Sequence, residues 1–260
     1  MARKRERFER TDVPSPSPRR NAIGAVVCAA ALAVAALVVV LVWNHVSQDT
    51  NLGDVSLGDA IGQQAAAPDA GEGYVATEGV SCTLLLTADS LDEQGATLSA
   101  ARILAVNEAQ GTASLVSLPT DLALTVDGGQ TTLAELFSSE GYAACVVPVA
   151  SAAGVSFSNV VLATSDVIEE AASLAGQGTA DLVSSASGLL SRIRTNMDAT
   201  GLLSLAESLS AIGVSNLSAS DAPLVAETTT DEEGNAQETG RQVLDQTQLG
   251  LALGTLAPAN

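Results

Sequence analysis

Basic and aromatic residues are what this sequence lacks most. Among 260 residues there are eleven Lys and Arg against thirty Asp and Glu, one His, and 2% aromatics. Seven of the eleven bases fall in residues 1–20 beside three acids, so that stretch carries +4. The rest has four bases, Arg102, Arg192, Arg194 and Arg241, against twenty-seven acids, a balance of −23. A body this negative repels phosphate backbones and excludes nucleic acid as a partner. The only histidine is His45 and there is no CxxC, so a zinc centre lacks its ligands. No His or Lys beyond residue 45 can activate a Ser, Thr or Cys nucleophile. Nothing marks out a carboxylate pair for general acid–base work. So few aromatics mean aliphatic packing and little platform for stacking sugars.

What is present begins with one long apolar run. Residues 22–42, AIGAVVCAAALAVAALVVVLV, contain no charge. As a helix they extend about 31 Å, enough to cross a bilayer core. Arg19 and Arg20 precede the run and Trp43 follows it. The positive-inside rule then puts the N-terminus in the cytoplasm and the remainder outside. A cleavable signal peptide is the alternative, but the run is long for one and no small-x-small site follows Val42 directly. The expected organisation is a basic cytoplasmic tail (1–20), a transmembrane helix (21–43), a flexible stalk (44–79) and a folded extracytoplasmic domain (80–258). Cys28 falls in the span. Cys82 and Cys145 then stand in an oxidising compartment, as one disulfide or as two buried thiols.

The apolar runs 82–86 (CTLLL), 103–106 (ILAV) and 114–118 (SLVSL) suit strands covered on both faces. NEAQGT (107–112) reads as the turn of a hairpin between the last two. Thr132 and Glu135 have capping-box spacing for a helix through Phe137. Residues 160–163 suit another buried strand. Asp166, Glu169 and Glu170 load the first turn of a helix ending near Gly176. Apolar positions from Leu182 to Ile193, and from Leu202 to Ile212 with Gly213 as a stop, mark two amphipathic helices. Arg192 and Arg194 then lie on the polar side of a helix as solvated charge. Residues 224–230 and 242–244, joined by a polar turn, suit an edge hairpin. Together these elements predict a three-layer α/β/α sandwich with a mixed central sheet.

Between residues 83 and 176 the order of motifs resembles the extracytoplasmic domain of the LytR–CpsA–Psr (LCP) family. LLLTADSL (84–91) stands for the family's first strand and G-S-D-S-R loop. TLSAARILAVN (97–107) stands for R-S-D-T and its strand, and VSLPTD (116–121) for V-S-I-P-R-D. Residues 160–176 fit the following strand and helix, and 191–220 resemble the C-terminal helices. The resemblance implies a phosphotransferase moving glycopolymer from a polyprenyl-pyrophosphate lipid to peptidoglycan, with arginines on the pyrophosphate and aspartates on magnesium.

Position by position, the acids remain and the bases do not. Asp89 and Asp121 occupy aspartate positions and are the candidate magnesium ligands, with turn capping as the alternative. Leu91, Thr97 and Thr120 stand where the family has arginine, and Ser99 where it has aspartate. The family's later arginine-rich stretch has no counterpart. The implied reading is a degenerate LCP-like domain. It would bind or modulate at the cell envelope through a cell-wall polymer, a polyprenyl lipid or another envelope protein. An active transferase is the alternative.

Overall fold

The computed structural model describes residues 51–167, 192–230 and 236–259. The predicted span at 22–42 and most of the helices expected over 166–176 and 182–193 lie outside these residues. Among the described residues no helix is long and apolar enough to cross a membrane.

The strands are β1 (Tyr74–Ala76), β2 (Val80–Ala88), β3 (Leu98–Asn107), β4 (Thr112–Leu118), β5 (Ala123–Val126), β6 (Gly129–Thr132), β7 (Asn159–Thr164), β8 (Ile193–Thr195), β9 (Leu217–Asp221), β10 (Leu224–Thr230), β11 (Ala236–Leu244) and β12 (Leu256–Pro258). The helices are α1 (Val55–Gly62), α2 (Leu133–Glu140), α3 (Val146–Ala153), α4 (Ala199–Ile212) and α5 (Gln246–Leu253). Six strands form one mixed sheet in the order β8-β7-β2-β3-β4-β9. β2 pairs parallel with β7, and β4 with β9; the other neighbours are antiparallel. The C-terminal ends of β2, β4, β7 and β9 therefore share one edge.

Alternation along β2 and β3 divides the core into two layers. Leu84, Leu86, Ile103 and Ala105 pack with Leu133, Leu136, Val146, Val149, Leu249 and Leu253. Leu104, Val106 and Leu85 on the other face pack with Ile212, Leu205 and Leu209 of α4. The fold is thus helix, sheet, helix, as the continuous apolar runs predict for strands covered on both sides. The expected hairpin joins β3 to β4, with Ile103 opposite Val116. The capping box is present: the Glu135 amide donates to Thr132 Oγ1 at 3.3 Å, and the Thr132 amide to Glu135 Oε2 at 3.0 Å. Asp198 caps α4 and Gly213 (φ +69°) ends it. Gly141 closes α2 at φ +88°; a Cβ there would sit 1.9 Å from the Glu93 carbonyl oxygen, so the loop after β2 packs directly on this glycine.

Two expectations change. The described residues are built into the fold from 51 rather than 80, so the stalk expected over 44–79 is not one from residue 51 onward. Residues 51–54 lie along β8, α1 packs Leu57 at 0% exposure, and β1 pairs with the C-terminal β12. α1 is only eight residues, rich in small and polar types, so its sequence carries little helical signal while its two buried residues, Leu57 and Ala60, fix it. In addition, residues 193–195, expected to close a helix, form β8 on the sheet edge.

Leu57→Ala removes a fully buried side chain and should destabilise the protein by about 2–5 kcal/mol, read from urea unfolding of the full chain. A cost below about 0.5 kcal/mol, the figure for a surface position, would return α1 to a stalk.

Candidate functional site

Parallel strands deliver carboxylates to one edge of the sheet: Asp89 after β2, Asp121 after β4, Asp166 after β7 and Asp221 at the end of β9. Ligands of open α/β sheets bind beyond the carboxyl ends of the strands, so this edge is the candidate site.

Asp89 is exposed, and its Oδ1 accepts the Thr97 amide at 2.7 Å while its own amide donates to the Thr97 carbonyl at 3.2 Å. The Thr97 amide, foremost, holds this carboxyl below its ordinary range. The aspartate therefore staples the β2–β3 loop through Thr97. The Thr120 carbonyl accepts the Ala134 amide at 2.8 Å and ties the β4–β5 loop to α2. Ser99 Oγ donates to the Thr87 carbonyl at 3.0 Å.

Asp121 is exposed and lines a groove of about 390 Å³ together with Pro119, Thr131, Glu135, Arg241 and Gln242. Asp89 does not line it. β3 separates β2 from β4, a spacing of about 10 Å, whereas magnesium ligands stand about 2.1 Å from the ion. Among the described residues no three His, Cys, Asp or Glu side chains come together as a metal set. With Asp89 committed to Thr97 and Asp121 on a separate groove, the pair does not fit one magnesium ion.

The arginines are largely spent on internal carboxylates. Arg192 pairs with Asp166 at the sheet edge. Arg241, in the groove wall, pairs with Glu227, Nε to Oε2 at 3.2 Å. Arg194 is not solvated helix charge. It projects from β8 with 23% of its side chain exposed, and its Nη1 donates to Asp54 Oδ2 at 2.7 Å and to the Tyr142 hydroxyl at 3.0 Å. The guanidinium lies 5.2 Å from the centroid of the Tyr142 ring, within cation–π range. Asp54 and Tyr142 carry no local sequence signal, since their partner is 140 and 52 residues away respectively. Arg102, half-buried on β3 between Leu85 and Ser117, has no ion pair among the described residues.

Cys82 and Cys145 are free and buried rather than bridged. Cys145 donates to the Gly141 carbonyl at 3.5 Å. Burial pushes the Cys82 thiol up to about 11 and Cys145 up to about 12, which removes the thiolate that disulfide exchange requires.

No protein-family model and no curated protein matches the sequence. Solved structures with a similar arrangement include the Lin1025 protein from Listeria innocua, at 14% identity and TM-score 0.47 over 68% of this chain and 99% of that one. TagV of B. subtilis is 12% identical, with TM-score 0.47 over 69% of this chain and 96% of that one. TagT bound to LI-WTA is 16% identical, with TM-score 0.46 over 68% and 92%. Identities this low at TM-scores below 0.5 do not bear on the activity.

Two outcomes test this geometry. Burial pushes the Asp54 carboxyl up, but hydrogen bonds from Ser56, Arg194 and the Leu57 amide outweigh it and hold the group below its usual range. Its stabilisation is then present above the unfolded value, about 3.9, and is lost as pH falls through the folded one. Asp54→Asn should lower the unfolding midpoint at neutral pH, and the gap to wild type should close below about pH 4. A gap that stays constant to about pH 3 contradicts the pairing. Cys82 and Cys145 should resist a disulfide reagent at about pH 8 in native protein and react once it is unfolded. Rapid native reaction contradicts their burial.

Proposed function

We propose that this chain is a single-pass, membrane-anchored protein of the cell envelope with a degenerate LCP-like domain. In this reading it is non-catalytic and works by binding or modulating in cell-wall assembly. The supporting observation is the use made of two of the three positions to which the resemblance assigns arginine. Thr97 and Thr120 replace the guanidinium groups, and their main-chain atoms are taken up in holding Asp89 and α2. A charge-assisted hydrogen bond is worth about 1.5–3 kcal/mol. Three absent arginines, at positions 91, 97 and 120, therefore remove several kcal/mol of pyrophosphate affinity, or several powers of ten. Arg194 and Arg241 do not compensate, because moving either of them strands a largely buried carboxylate.

One observation favours the alternative of an active transferase. Arg102 is half-buried and has no carboxylate partner among the described residues, so it could meet an anionic head between the sheet and the helices.

Calorimetric titration of the full chain in detergent with a short-chain polyprenyl pyrophosphate separates the two readings. It is run with and without magnesium, beside Asp121→Ala and Arg102→Gln variants. The degenerate domain should give no binding heat at about millimolar lipid, an affinity weaker than about −4 kcal/mol. Micromolar, magnesium-dependent binding lost in either variant establishes the transferase reading instead.

A further inference from the structure

This inference rests on the membrane anchor proposed above and concerns how the domain is presented to the bilayer. The first described residue is Asn51, whose carbonyl accepts the Thr195 amide at 3.0 Å. Leu52 then bridges Thr195 in parallel, and the Gly53 and Asp54 amides donate to the carbonyls of Met197 and Thr195, each at 2.9 Å. The ion pair of Asp54 with Arg194 and the burial of Leu57 lock this segment in place.

From Trp43, the last residue of the predicted span, to Asn51 is eight Cα steps. That is at most about 28 Å of chain, where a stalk running to residue 79 would have allowed roughly 130 Å. Direction matters as much as length. β8 is antiparallel to β7 and starts at Ile193, beside Ala163, near the edge where β2, β4 and β7 end. Residues 51–53 run parallel to β8, so the chain enters the domain from that same edge.

We infer that the short tether holds the carboxyl-end edge of the sheet, with Asp89 and Asp121, toward the lipid headgroups, and that the β3–β4 turn at the opposite edge points away from the bilayer. Charge does not hold it there. The body carries −23, and the edge itself bears Asp89, Asp92, Glu93, Asp121 and Asp166, so an anionic leaflet repels it. The tether alone enforces proximity.

Energy transfer in lipid nanodiscs tests the arrangement on the full chain. A donor dye is placed on Gln94→Cys in the β2–β3 loop or on Gln110→Cys in the β3–β4 turn. Both positions are exposed, and the nine-residue β2 separates the two edges by about 30 Å. Cys28→Ser supplies the background, since Cys82 and Cys145 are buried. Acceptor dyes sit on the lipid headgroups. Transfer from position 94 should be clearly stronger than from position 110, and a Gly-Ser insertion of about twenty residues after Gln48 should weaken both and erase the difference. Equal or reversed efficiencies overturn the orientation. Transfer unchanged by the insertion overturns the tether as its cause. Flotation is scored separately: a chain that fails to enter nanodiscs removes the anchor reading and this inference with it, whereas a floated chain with no preference removes only this inference.

Discussion

Asp54 joins three parts of the molecule that lie far apart in sequence. One carboxylate oxygen accepts the Leu57 amide and starts α1, while the other meets Arg194 from β8 and Tyr142 from the loop after α2. A guanidinium that is only 23% exposed on an edge strand requires a counter-charge, and removing one partner of such a pair strands the other. The N-terminal segment is therefore an integral strand-edge cover and core helix. Its attachment sets the edge from which the chain enters the domain.

The same bookkeeping of charge governs the candidate site. Beyond residue 20 the chain has only four arginines against twenty-seven acids. Arg192, Arg194 and Arg241 each neutralise a carboxylate of the domain itself. What remains at the carboxyl ends of the strands is acidic, with Asp89 turned to loop closure and Asp121 facing a separate groove. An edge of this composition is poorly suited to gripping pyrophosphate. It can serve cation, hydroxyl or protein contacts, which is why the binding and modulating reading is preferred to transfer.

Much of this architecture was legible where local physics dominates. CTLLL and ILAV became β2 and β3 because a strand buried on both faces must be apolar at successive positions, and both are. Thr132 and Glu135 specified a helix start through hydrogen bonds that span only three residues. Gly213 ended α4 because the chain leaves that helix at positive φ. The misses came where tertiary partners decide. VSLGDAIG is too short and too polar to announce a helix, and it folds because Leu57 and Ala60 find the core. Arg194 looked like the polar side of a helix, since a period read from Leu182 can be carried through Ile193. Its strand is set instead by pairing with β7 and by Asp54, 140 residues earlier. For Cys82 and Cys145 the sequence left two readings open, a bridge or two buried thiols, because an oxidising compartment permits a bridge without bringing the sulfurs together; both thiols are buried and free, with Cys145 held to the Gly141 carbonyl.

In the proposed reading, two threonines at positions the LCP resemblance gives to arginine, Thr97 and Thr120, leave the edge unable to hold an anionic lipid head. Placing arginine there is the most direct test. Binding of a short-chain polyprenyl pyrophosphate should be measured for wild type and for a Thr97→Arg, Thr120→Arg double variant under identical salt. The account predicts no measurable binding by wild type and a gain of at least about a hundredfold in the variant, from two charge-assisted contacts of about 1.5–3 kcal/mol each. Equal affinity in both proteins, or none in either, would contradict it.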